Sequence, residues 1–157
     1  MSKTLVAYFS VGGTTAEAAK RIARLAGADM FEIRPAVPYT RADLDWTDSK
    51  SRTTLEMKDP ASRPEIEALP ENLGAYDRIF VGFPIWWYTA PRIIASFLDG
   101  AKLSGKTVVP FATSGGSGLG STVDDLKKCC DARILGGKMI NRRVSDSELE
   151  NWIKESV

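Results

Sequence analysis

Short apolar runs rich in β-branched residues alternate along the chain with longer amphipathic stretches. This is the pattern of a parallel sheet covered by helices on both faces. Residues 4–9 read as a first strand and 14–26 as a helix, because Ala19, Ile22, Ala23 and Ala26 recur at helical spacing. Gly27 is placed to close that helix. Further strands are expected at 29–33, 79–83 and 106–113, the last with Val108 and Val109 suited to burial on both faces. Pro110 is an irregularity there, since proline has no N–H for a ladder. A fifth strand is expected at 133–135, resuming at 139–140 beyond Gly136 and Gly137. Helices are expected at 91–98, with proline in the first turn, and at 121–130. A last helix starts at Ser145, where Ser145-Asp146-Ser147-Glu148 has capping-box spacing, and buries Leu149, Trp152 and Ile153.

Residues 34–62 break this rhythm. They are polar, highly charged and carry Pro35, Pro38 and Pro60, and they are long for a connector. Some helix is expected within 43–58, and a short one at 64–69 opened by Pro64. The stretch is an irregular insert in an otherwise regular single domain of 157 residues, with length enough to form a lid over a ligand.

Composition narrows the chemistry. Lys plus Arg (21) and Asp plus Glu (20) nearly cancel, leaving +1, so nothing favours nucleic acid or a membrane surface as partner. No apolar run reaches the roughly 18 residues of a membrane span, and the first residues show no signal-peptide pattern, so a cytoplasmic location is expected. There is no histidine. That removes histidine bases, Ser–His and Cys–His pairs and imidazole metal sites, and leaves the chemistry to a bound cofactor. Cys129 and Cys130 are neighbours in a helical pattern, which points them to different sides. They read as one packed and one more exposed thiol, since a disulfide between them would be strained.

In an open parallel sheet, ligands bind beyond the carboxyl ends of the strands. Three loops of unusual composition emerge there. The first is Ser10, Val11, Gly12, Gly13, Thr14 and Thr15, where glycines admit close approach, hydroxyls offer donors and a helix aims its positive end. It matches neither the Walker loop, having no lysine, nor G-x-G-x-x-G, and a neutral cradle suits holding a phosphate rather than transferring one. The second is Pro84, Ile85, Trp86, Trp87, Tyr88 and Thr89, whose consecutive aromatics cannot all enter the core and suit stacking on a planar ring. The third is the loop 113–120, whose four glycines expose amides that suit the polar edge of a flavin, with Thr113, Ser114, Gly115, Gly116, Ser117 and Gly118 as its candidate site residues. Separately these loops can also be read as a tight turn, a packing or interface surface and a flexible connector. Together they fit a ring-bearing monophosphate, of which FMN is the simplest.

At this point the sequence resembles the flavodoxin family, in particular its short bacterial, atypical branch. The resemblance is carried by residues 5–10 with Gly13-Thr14-Thr15, by residues 81–88 and by residues 110–118, with Pro38-Tyr39 and residues 63–66 of the insert also similar. It implies a three-layer α/β sandwich with a five-stranded parallel sheet in the order 2-1-3-4-5. It implies that Ser10, Gly13, Thr14 and Thr15 hold the FMN phosphate. Residues 84–89 would line the isoalloxazine and 114–118 would meet its pyrimidine edge. Gly12 departs from the family, which usually has a hydroxyl residue there. The activity implied is electron transfer through bound FMN, to a redox partner protein or a small-molecule acceptor. Two features add weight to an FMN-dependent NAD(P)H oxidoreductase: near-neutral charge, and the lack of a glycine in residues 84–91 whose peptide could flip toward the reduced ring. A cofactor-free interaction module is the remaining alternative. A receiver domain is excluded, because the strand ends 8–10 and 82–84 lack its acidic residues.

Overall fold

The computed structural model describes residues 3–114, 118–141 and 143–156. Its strands are β1 (Thr4–Tyr8), β2 (Asp29–Glu32), β3 (Arg78–Pro84), β4 (Thr107–Thr113), β5 (Arg133–Ile134) and β6 (Lys138–Met139). Its helices are α1 (Thr14–Ala26), α2 (Arg52–Lys58), α3 (Arg92–Gly100), α4 (Thr122–Lys127) and α5 (Asp146–Glu155), with one 3₁₀ turn at Leu73–Ala75. The pairings between these strands are all parallel, and the order is β2-β1-β3-β4-β5, with β6 also on β4.

Strand alternation sorts the core into two layers. Leu5, Ala7, Ile79, Val81, Phe83, Val108 and Ala112 pack with Ile93, Ile94, Phe97 and Leu98 of α3 and Leu126 of α4. Val6, Phe80, Val109 and Phe111 pack on the other side with Ala18, Ala19, Ile22 and Ala23 of α1 and Leu149 and Ile153 of α5. Gly82 belongs to this packing: a Cβ there would lie 2.1 Å from the Phe111 ring, so the aromatic on β4 fills the space β3 leaves empty.

Pro110 explains the interrupted edge. Leu135 N donates to Val108 O and Ile140 N to Ala112 O, so alternate residues of β4 address the β5/β6 side. Pro110 falls between them and has no N–H to offer. The pairing lapses after Val108 and resumes at Phe111, splitting the expected fifth strand into β5 and β6.

Two local expectations are corrected. Residues 64–69 are not helical: Ala36 N donates to Glu65 O and Glu67 N to Arg34 O, an antiparallel pairing around Pro35 and Ile66. Bonds to residues 34 and 36 take Glu65 O and Glu67 N, backbone groups that a short helix would have satisfied internally. The α4 helix ends at Lys127, so Cys129 and Cys130 sit in the turn beyond it, both free and half-buried. Within the insert, helix is confined to α2, where the Ser51 side chain accepts from Thr54 N as an N-cap.

Candidate functional site

The first strand–helix turn is built around Gly13, which caps α1 at φ 91°, a left-handed conformation that costs other residues about 1–2 kcal/mol. Its N–H is taken by Ser10 Oγ at 3.1 Å. No side chain caps α1, so its first-turn amides and positive dipole end remain available to an anion. Thr15 is nearly enclosed, 2% exposed, and its hydroxyl meets that of Thr113 at 2.7 Å. That bond ties the start of α1 to the end of β4.

After β3 the chain makes a tight turn. Trp86 N donates to Thr89 O at 2.9 Å and Thr89 N to Trp86 O at 3.1 Å. The central residues Trp87 and Tyr88 have φ of 53° and 65°. This left-handed pair normally calls for Asn-Gly. Two bulky aromatics held there store strain, which clusters at ligand sites. Neither is buried to compensate: Trp87 is 43% and Tyr88 72% exposed. Trp86 instead is half-buried, edge-on to Phe9 (5.6 Å) and to Tyr39 (5.5 Å).

The turn is braced from the third loop. Gly120, at φ 57°, passes so close that a Cβ would lie 2.3 Å from Tyr88 O. Asp125 of α4 accepts from the Thr89 hydroxyl at 2.5 Å and from Ser121 at 2.8 Å. Gly118 is exposed, while Gly115, Gly116 and Ser117 lie outside the described residues.

Ser10, Val11, Gly12, Thr14, Thr15, Pro84, Ile85, Trp86, Thr113 and Ser114 converge on one cleft of about 410 Å³ at the carboxyl end of the sheet. This is within the usual range for a small-molecule site. None of these residues carries a charge. Gly13 shapes the cleft without lining it, and Trp87, Tyr88 and Thr89 belong to the turn beside it. Thr89 lines a separate cavity with Pro91, Arg92 and Asp125. Sequence reasoning placed Gly120 in the glycine-rich third loop but missed its approach to Tyr88, and it missed Asp125; both roles depend on a contact with residue 88 or 89 that no local pattern encodes. It also missed Arg52, whose only signal is its i,i+4 spacing to Glu56.

A flavodoxin family model matches residues 3–156. The chain belongs to the flavodoxin family. Among solved structures it is similar to a candidate flavoprotein from Bacteroides eggerthii, at 48% identity over 99% of this chain and 98% of that one, with a TM-score of 0.91. A candidate flavoprotein from Bacteroides uniformis is similar at 45% identity, covering 98% of each chain, TM-score 0.88. The fold is shared with a Lactobacillus acidophilus flavoprotein solved in complex with FMN, at 23% identity over 98% of this chain and 99% of that one, TM-score 0.76. No curated protein matches the sequence. Among the described residues no helix is long and apolar enough to cross a membrane.

Proposed function

We propose that this chain binds FMN in the cleft between the β1, β3 and β4 loops and transfers electrons through it. The observation that carries the reading is the uncapped N-terminus of α1 opening into a charge-free, hydroxyl-lined cleft that Trp86 also lines. Family membership and the FMN complex of the Lactobacillus relative support it.

The residues fit the group. The first-turn amides of α1, with Ser10 and Thr14, are suited to a phosphate dianion that needs no counter-cation. Ile85 and Trp86 offer an apolar wall to the ring, and Thr113 and Ser114 offer polar groups at its edge. When bound, FMN supplies the one- or two-electron redox chemistry that the side chains lack. The chain's own part is to orient the ring and shield one side of it from water.

The partner is a redox protein or a small acceptor, and the expected location is the cytoplasm. A second reading, an FMN-dependent NAD(P)H oxidoreductase, is favoured by the ring-side turn, which has Trp87 and Tyr88 where a flipping peptide needs glycine.

Apo protein titrated with FMN and with riboflavin tests the cofactor. Tighter binding of FMN by tenfold or more is expected, and no uptake of FMN would overturn the reading. Anaerobic reduction with NADPH or NADH then separates the roles: direct bleaching of bound flavin indicates the oxidoreductase, and resistance to both indicates the carrier.

A further inference from the structure

The insert contributes one residue to the wall of the cleft at second hand. Trp86, Phe9 and Tyr39 form a mutual edge-on triad, with the Phe9–Tyr39 centroids 5.8 Å apart. Phe9 is fixed by the core at 1% exposure. Tyr39 lies outside any helix or strand, so other contacts must hold its ring in place. Those contacts come from α2. The Tyr39 hydroxyl donates to Glu56 Oε1 at 2.6 Å, and the Arg52 guanidinium lies 3.8 Å from the Tyr39 ring centroid.

Arg52 is itself tied down at three points. Its Nε donates to Glu56 Oε2 at 3.0 Å, one terminal nitrogen donates to Val37 O at 2.7 Å, and Asp43 Oδ2 lies at 4.0 Å. With side-chain exposures of 23% and 13%, Arg52 and Glu56 are partly withdrawn from water, which strengthens both the pair and the cation–ring contact. The planar fork matters: lysine could place a charge over the ring but could not hold the separate acceptors in register.

We propose that Arg52 is a positioning residue for ligand binding, acting through Tyr39 to set the angle of Trp86 against the cleft. The inference rests on the FMN reading for its ligand, but not for its geometry. Because Trp86 stands on the ring side, Arg52 governs recognition of the ring and leaves recognition of the phosphate alone.

The test uses full-length apo protein labelled with 5-fluorotryptophan, with the Trp86 resonance assigned by Trp86→Phe. Arg52→Met is expected to shift or broaden that resonance and to weaken FMN and riboflavin by the same factor, up to about tenfold. The cation–ring contact is made with or without ligand, so its strength in a partly desolvated setting, about tenfold, sets the ceiling on that loss. Arg52→Lys should recover part of both effects. Should Arg52→Met fail to fold, Tyr39→Phe keeps the ring but loses the bond to Glu56, and a change in the same direction of about threefold is expected. An unmoved Trp86 resonance, or a loss confined to FMN with riboflavin unaffected, overturns the proposal. If the wild-type protein took up no FMN, the functional reading would fail, while the fluorine spectrum would still decide whether Arg52 positions Trp86.

Discussion

Replacing Gly120 by alanine tests how the strained turn after β3 is held. Two penalties add at this position. The backbone sits at φ 57°, where a Cβ costs about 1–2 kcal/mol. The Cβ would also lie 2.3 Å from Tyr88 O, a backbone atom in a turn locked by two hydrogen bonds, so it cannot swing away as a side-chain tip would. Relieving such an overlap by moving main chain costs about 1–3 kcal/mol. The sum, about 2–5 kcal/mol, corresponds to a fall of about 10 °C in Tm for a domain of this size. Urea unfolding of the apo protein followed by far-UV circular dichroism measures the stability, and FMN titration measures the site. Gly120→Asn separates the two penalties: asparagine tolerates the left-handed backbone but keeps the Cβ, so it should recover only the dihedral share. Stability within about 0.5 kcal/mol of wild type, a surface-substitution value, with unchanged FMN affinity, would refute the close approach of the third loop to Tyr88.

Thr113→Val should destabilise the protein by about 1–3 kcal/mol, because it strands the enclosed Thr15 hydroxyl, and the Thr15→Val/Thr113→Val pair should cost less than the sum of the singles. Strict additivity in a double-mutant cycle would contradict the bond. Burial, then the bond to Glu56, holds the Tyr39 hydroxyl above the ordinary tyrosine value. A folded value above the unfolded one means its stabilisation is whole below about pH 10 and is lost as pH rises beyond that. Tyr39→Phe should therefore flatten the alkaline decline of the urea midpoint, and an identical decline in both proteins would refute the assignment. Burial likewise pushes the thiols of Cys129 and Cys130 up, so at pH 7.5 both should react with a disulfide reagent more slowly than an unfolded-state control. Rates equal to that control would show that neither is shielded.

The sequence by itself determined the sheet, its helices and the three loops that carry the cleft. Strand and helix periods are local, and residues such as Val108, Val109, Ile22 and Leu149 report which face they bury without reference to distant partners. Ser145 and Gly27 mark helix ends for the same reason, since caps act within one turn. Pro110 was visible as an irregularity, but its consequence needed the neighbouring edge: only the register places it where β5 gives way to β6.

The insert was legible only as an exception. Its polar composition carries no period, so the pairing of residues 34–36 with 65–67 and the seat of Tyr39 between Trp86 and Arg52 were decided by tertiary contacts. The aromatic run after β3 was conspicuous in sequence, yet its division of labour was not. Trp86 turns inward against Phe9 and Tyr39 while Trp87 and Tyr88 stay exposed at positive φ, in a turn closed by two backbone bonds and passed closely by Gly120. A turn that local propensity opposes is held by neighbours far along the chain, and those neighbours give this cleft its wall.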